Sequence, residues 1–371
     1  MASTWGENIK LSIFGGSHTE AIGVVLDNLP PNEKIDMEKI RVQMARRAPG
    51  KDKTATTRLE ADEPQVLSGL FNGVTTGAPL AAIIANTNTR SKDYSDLKIH
   101  PRPGHADYTA SVRYNGANDI RGGGHFSGRV TAALVAAGAI LLQALENKGV
   151  IIGSHILSCG NVSDERYSLD PTSEIKNTKG KPFPVLNDNK QEEMLAEIAE
   201  AAKNNDSIGG TVETAICGLP AGLGEPWFDS IESMLSHAVF SLGGVKGIEF
   251  GAGFSLPRMR GSEANDEFYV GEDKKILTRT NNSGGINGGI SNGMPIVFTC
   301  AVKPTASVAK PQHTVNLCTE ENAELTLKGR HDPAIVRRIC PVIESAAAIV
   351  LCDFISARYG TNALADKNFR F

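Results

Sequence analysis

Two histidines sit where glycine lets backbone approach whatever they face: His18 in FGGSHTEAIG and His105 in RPGHADYT. An ordinary histidine pKa of about 6.5 allows proton donation and acceptance near neutrality, so each is a candidate acid or base. A third, His331, lies in GRHDP between Arg330 and Asp332 at an expected helix start, where backbone N–H groups can hold anions. His100, His155, His237 and His313 lack such surroundings and read as structural or surface residues. A basic run supplies the complementary chemistry. From Arg41 to Arg58, six cations (Arg41, Arg46, Arg47, Lys51, Lys53, Arg58) stand against one acid, Asp52. That is a net +5 inside a chain of net −4, a local field suited to a small polyanion. Arg46 and Arg47 are its sharpest part, because guanidinium grips carboxylate and phosphate with two parallel hydrogen bonds. KPTAS (303–307) adds a lysine and two hydroxyls after an expected strand, a further grip for phosphate.

These groups need rigid elements behind them. The chain has 371 residues, long enough for a substantial core. Its 38 glycines cluster at 15–18, 122–125, 243–247 and 284–289, and two of those clusters run directly into histidine. A strand is expected at Ile9–Phe14, a helix at Asp36–Arg47 ending before Pro49, and strands at Gln65–Phe71 and Pro79–Ala85. A short helix near Ala106–Tyr114 precedes a long one over Ser127–Lys148. Strands follow at 150–157, Thr211–Gly218 and Pro295–Val302, with helices at Gln191–Asn204 and Asp229–Leu242. The tail Asp332–Tyr359 reads as helix, interrupted or kinked at Pro341. Residues 164–189, polar and holding three prolines, read as an exposed insertion or irregular loop. Strands and helices interleave without regular βαβ spacing. The expected fold is therefore α+β with antiparallel sheets, in one domain over 1–371.

Several classes fall away. The balance of 38 basic and 42 acidic residues gives no global field for nucleic acid or a membrane surface. The six cysteines are never closer than 12 residues apart, so redox CxxC, zinc and disulfide frameworks are not expected. No signal peptide is visible at the N-terminus, and the uncharged stretch Val130–Leu145 is shorter than the ~20 residues of a membrane span. It reads as a buried helix of a cytoplasmic protein. Walker-A, strand–GxGxxG–helix, HExxH and GxSxG patterns are all missing, and no metal is expected. The residues alone thus reach an enzyme using acid/base histidines on a phosphorylated or carboxylated small molecule.

Taken in order, GGSHTEAIGVVLDNLP, RRAPG, LSGLFNGVTTGAPL, NTNTRSKDYSDLK, RPGHADYT, DIRGGGHFSGR, GLPAGLGEPWFDSIE, VKGIEFGAGF, GGINGGISNG, KPTAS and GRHDPAIVRRICPVIE resemble the chorismate synthase family over nearly the whole chain. The resemblance implies a β-α-β sandwich of antiparallel sheets around helices, assembled as a homotetramer. It implies a lyase that makes chorismate from 5-enolpyruvylshikimate 3-phosphate by trans-1,4-elimination and needs reduced FMN. It gives catalytic roles to His18, His105 and Asp332. Substrate-binding roles go to Ser17, Arg46, Arg47, Lys53, Arg129 and Arg337. FMN contacts fall to His125, Phe126, Ser127, Gly243, Gly244, Gly288, Lys303, Pro304, Thr305, Ala306, Ser307 and Arg330. Some forms in the family reduce their own flavin with NADPH. The compact length here, with no separate nucleotide module, favours an external reductant. The competing reading is a non-catalytic flavin- or anion-binding relative.

Three positions depart from the family pattern. The usual GESHG is GGSHT, so Gly16 and Thr19 replace a glutamate and a glycine. The usual GGGRSSAR is GGGHFSGR, so His125 and Phe126 replace an arginine and a serine. RHDPC becomes RHDPA. The first two bear on the electrostatics beside the acid histidine and the flavin.

Overall fold

The computed structural model describes residues 3–49, 62–87, 96–327 and 332–371. Its core is two five-stranded antiparallel sheets with helices between them. The first sheet runs Thr4–Trp5, Lys10–Gly15, Ala21–Asp27, Leu80–Ala85, Gln65–Ser68 across its width. The second runs Val245–Phe250, Ile296–Val302, Gly210–Cys217, Ile151–Cys159, Val162–Ser163. In the strand Leu80–Ala85, Leu80, Ala82 and Ile84 are buried and their neighbours less so, the period-two pattern of a strand with one face on the core.

Eight α-helices are described: α1 Met37–Arg47, α2 Asp107–Arg113, α3 Thr131–Asn147, α4 Thr172–Thr178, α5 Asp188–Lys203, α6 Ile231–Phe240, α7 Gly261–Ala264 and α8 Val336–Tyr359. The middle layer is chiefly α3, which touches both sheets, and α8, which packs on α3 and on the second sheet, with α1 beside them. Every residue from Ala132 to Leu145 is buried, so this helix is apolar all round because it has no solvent face. With the turn before it, α3 forms a stretch Gly128–Asn147 that, like α8, is long and apolar enough to cross a membrane, yet 89% of each apolar window is buried inside the protein. Their close crossing explains the glycine in the middle of α3. A Cβ on Gly138 would lie 2.2 Å from Cβ of Ser345 on α8. Pro341 does not interrupt α8, which is one helix from Val336 onward with the proline in its second turn.

Residues 164–189 are not an exposed insertion. They carry α4, and Ile175, Thr178, Phe183 and Val185 are buried. The strand Ile151–Cys159 is buried along nearly its whole length, so its sheet needs cover on the outer face as well. Ile175 supplies it, filling the space left by the missing side chain of Gly153. Buried His155 pins the segment's start, with its ring against Glu213 (3.1 Å) and Asp164 (3.5 Å). The Asp164 carboxylate in turn accepts from the backbone N–H groups of Leu186 and Asn187 at the segment's far end. Prolines and charges misled the reading because Asp164, Ile175, Thr178, Phe183 and Val185 turn inward while most of the segment's charged side chains stay at the surface.

Candidate active site

A cavity of about 860 Å³ opens between the first sheet, the N-terminal end of α3 and the start of α8. One glycine turn organises its centre. Gly122, Gly123 and Gly124 all take positive φ (61°, 88° and 54°), a run that L side chains rarely adopt. The space that side chains at Gly122 and Gly123 would need is taken by the two candidate histidines, and that at Gly124 by the Asp119 carbonyl. A Cβ on Gly122 would sit 2.2 Å from Cε1 of His18, and one on Gly123 would be 3.1 Å from Cε1 of His105. His105 lines the cavity, whereas His18 and Ser17 lie just behind the cavity-lining Gly122.

His18 is buried, and its Nδ1 is 3.1 Å from Ser17 Oγ. That hydroxyl is also 3.1 Å from the Arg121 carbonyl, where only donation is possible. The hydroxyl proton is thereby committed, so Nδ1 carries the imidazole hydrogen and Nε2 is the atom left for proton transfer. Ser17, expected to touch substrate, thus touches His18. The departures around it have local causes. A side chain at Gly16 would meet the Gly124 backbone at 3.1 Å, crowding the glycine turn. The Thr19 hydroxyl accepts from the Gly16 N–H (2.9 Å) and lies 2.8 Å from its carbonyl, closing the turn in front of His18.

The arginines sort by helix geometry. Successive helical residues point about 100° apart, so Arg46 and Arg47 face different neighbours. Arg47 turns to the cavity, donating to Asp62 (2.6 Å), Thr131 Oγ1 (3.1 Å) and the Gly128 carbonyl (3.3 Å). Arg129 joins the other oxygen of the Asp62 carboxylate and also donates to Asn86 Oδ1 (3.0 Å) and the Ala85 carbonyl (3.2 Å). Arg46 corrects the expectation of a substrate ligand. It is outside the cavity lining, in a two-pronged ion pair with Glu344 of α8, whose carboxylate is 1% exposed. Gln43 and the Ser154 N–H complete that buried network. Arg337 is outside the described lining, with Nη2 donating to the Ala48 carbonyl (3.5 Å), while its neighbour Arg338 faces the cavity. Arg338 pairs with Asp332, which also lines the cavity, and its Nε donates to the Arg47 carbonyl (2.9 Å). Lys53, Arg330 and His331 lie outside the described residues.

The opposite wall is the loop Lys303–Ser307 together with Gly243, Gly244, His125, Phe126 and Ser127. The Lys303 N–H bonds the Gly244 carbonyl (2.9 Å), and Gly244 has φ 104°. The Thr305 hydroxyl is buried without a hydrogen-bond partner among the described residues, an acceptor or donor awaiting a ligand. His125 Nδ1 donates to the Gly15 carbonyl (2.7 Å), which leaves Nε2 to accept from Ser3 Oγ (2.9 Å). Phe126 is 44% exposed and tilts against Tyr114, so two aromatic rings wall this end. Gly288 is placed elsewhere among the described residues. It lies in the turn between Ile286–Asn287 and Ile290–Ser291, outside the cavity lining.

The sequence reading missed Asp62, Arg102, Arg338 and His237, all in the lining. Only tertiary contact identifies them, although Arg338 stood one position from a residue that was chosen. Among the described lining residues, five cations (Arg47, Arg102, Arg129, Lys303, Arg338) face two carboxylates (Asp62, Asp332). Such a surplus, with low-dielectric walls, favours anionic ligands.

The comparisons with known proteins agree with this geometry. A sequence profile of the family described as chorismate synthase matches residues 9–356. The chain is 43% identical over 354 residues to the chorismate synthase of Thermococcus gammatolerans, covering 95% of this chain and 97% of the relative. It is 42% identical over 368 residues to that of Methanocaldococcus jannaschii, covering 96% of both. A crystal structure of chorismate synthase superposes with a TM-score of 0.74 at 27% identity, covering 96% of this chain and 94% of the other.

Proposed function

This chain belongs to the chorismate synthase family, and from that premise we propose that it converts 5-enolpyruvylshikimate 3-phosphate to chorismate and inorganic phosphate with the help of reduced FMN. The C–O bond to phosphate and a ring C–H bond break on opposite faces, and a new C=C bond forms. The observation that carries the proposal is a single cationic cavity walled by His105 and Asp332, with His18 seated directly behind its glycine turn.

The cavity's residues fit a flavin mononucleotide. Lys303 and the unpartnered Thr305 hydroxyl suit its phosphate, and Phe126, Tyr114 and the open backbone at Gly243 and Gly244 suit a flat ring. When bound and reduced, FMN supplies transient electron density that weakens the breaking C–O bond. The protein's own groups do the rest. Arg47 and Arg129, braced by Asp62, orient the substrate's anionic groups and neutralise charge growing on phosphate. In its doubly protonated, imidazolium form His18 donates a proton from Nε2 that makes phosphate a better leaving group, Nδ1 keeping its own hydrogen toward Ser17. The Asp332 carboxylate, held by Arg338, receives a proton on the cavity's other side. His105 serves as a second proton carrier beside the flavin wall. Homotetramer assembly, a cytoplasmic setting and an external flavin reductant complete the reading.

The test is turnover under anaerobic conditions with chemically reduced FMN and the enolpyruvyl substrate. Chorismate and phosphate in equal amounts support the proposal. Phosphate without chorismate, no turnover, or equal rates with oxidised flavin count against it.

A further inference from the structure

The loop from Pro101 to Asp107 has its own internal clamp, built on an aspartate that the preceding reading gives no role. Asp107 opens α2 and is buried, as is Arg102. One carboxylate oxygen accepts from the Arg102 backbone N–H (3.0 Å) and from its Nε (2.7 Å). The other accepts from Arg102 Nη2 (2.8 Å) and lies 2.7 Å from Nδ1 of His105. Burial alone would raise the Asp107 pKa, but the hydrogen bonds and charges of Arg102 and His105 outweigh it and hold it far below the carboxylate range. The group is therefore an acceptor only. A 2.7 Å contact to an ionised carboxylate requires hydrogen on Nδ1, and Nε2 is then the nitrogen left to the cavity.

Arg102 Nη2 also lies 3.0 Å from that Nδ1. Both atoms carry hydrogen, so this contact is not a hydrogen bond, and Asp107 is what holds the guanidinium beside the ring. The far nitrogen of Arg102, Nη1, donates to Ser307 Oγ (3.2 Å), and Lys303 Nζ donates to the Gly104 carbonyl (2.5 Å). Two bonds thus join the histidine's loop to Lys303–Ser307. Among the described residues, the charged groups facing His105 are Asp107 and Arg102 from its own loop and Lys303 from the facing one, while the Gly123 turn presents only backbone.

We propose that Asp107 and Arg102 are positioning residues. Asp107 fixes His105 with its hydrogen on Nδ1, so that Nε2 exchanges protons in the cavity. Arg102 locks that carboxylate to the loop 303–307, holding the histidine in register with the phosphate-grip loop. The catalytic half of this inference rests on His105 carrying a proton in the proposed reaction. The tautomer half does not.

The experiment is nitrogen NMR on full-length protein labelled in its histidines, at roughly two pH units above the ordinary histidine value of about 6.5. The His105 signals are identified by their loss in His105→Gln. The proposal expects a protonated, pyrrole-type Nδ1 and a bare, pyridine-type Nε2. In Asp107→Asn the amide can either donate or accept, so the two tautomers should mix. Turnover of that variant should then fall on the order of 10²–10⁴-fold in kcat, with KM little changed. Arg102→Lys keeps Asp107 beside His105 and should keep Nδ1 protonated, whatever it costs in stability. A wild-type spectrum with the hydrogen on Nε2 overturns the proposal, and it does so even if Asp107→Asn fails to fold. Mixed tautomers with unchanged kcat overturn it too. A correct tautomer in a protein that makes no chorismate sinks the functional reading and leaves the positioning of His105 intact.

Discussion

Gly122→Ala tests whether the glycine turn is what seats the acid histidine. The added Cβ would lie 2.2 Å from Cε1 and 2.3 Å from Nδ1 of His18, and 2.6 Å from Ser17 Oγ. Going from 2.2 Å to the 3.4 Å of ordinary contact means a retreat of about 1.2 Å by a buried ring whose Nδ1 is held by Ser17. A misplacement near 1 Å at a reacting group can cost on the order of 10²-fold in rate, so kcat should fall by about that factor. The backbone adds its own penalty, because φ is +61° and an L residue there costs about 1–2 kcal/mol. Gly116→Ala is the control: its φ is +73°, but nothing lies within 4 Å of the new methyl. It should lose a similar amount of stability and keep its rate. The assays are anaerobic chorismate formation for kcat and KM, and urea unfolding for stability. If Gly122→Ala lost no more rate than Gly116→Ala, either His18 does not act where it sits or it does no chemistry.

Arg46→Ala and Arg47→Ala should separate. Arg46→Ala strands the buried Glu344 carboxylate and should cost about 3–5 kcal/mol in urea unfolding, while Arg47→Ala should chiefly raise KM for the anionic substrate, an effect that salt partly reproduces. Asp62→Asn leaves two guanidiniums facing each other without their shared counter-charge, so inorganic phosphate should raise its Tm more than that of the unmutated protein; equal shifts would mean phosphate does not reach this pair. Burial would lower the His155 pKa, but Asp164 and Glu213 outweigh it and raise it above the ordinary 6.5. A raised folded-state pKa contributes stability that is complete below pH 6.5 and lost as pH climbs through the folded value. Unfolding free energy should therefore decline on the alkaline side of 6.5, and His155→Gln should flatten that slope; parallel curves would mean that other groups set it.

The order of motifs was enough to give this protein its family, its α+β sandwich and part of the cavity wall. His105, Asp332, Arg47, Arg129 and the loop Lys303–Ser307 line one space. Local signals also placed α1, with Asp36 capping it, and the apolar α3. What adjacent residues do when they face different partners was not legible. Arg46 and Arg47 look alike in the chain, as do Arg337 and Arg338, but a helix turns each pair about 100° apart. One of each pair meets the cavity, and the other meets α8 or the end of α1. Asp62 and Arg338 acquire their place in the site from groups far away in sequence, Arg129 and the Arg47 carbonyl, and so does the covered face that draws 164–189 inward. Sequence carries residue type and local periodicity, which select elements and chemistry. Direction and pairing come from how the elements pack, because the same charge is a ligand on an open face and a core ion pair on a buried one.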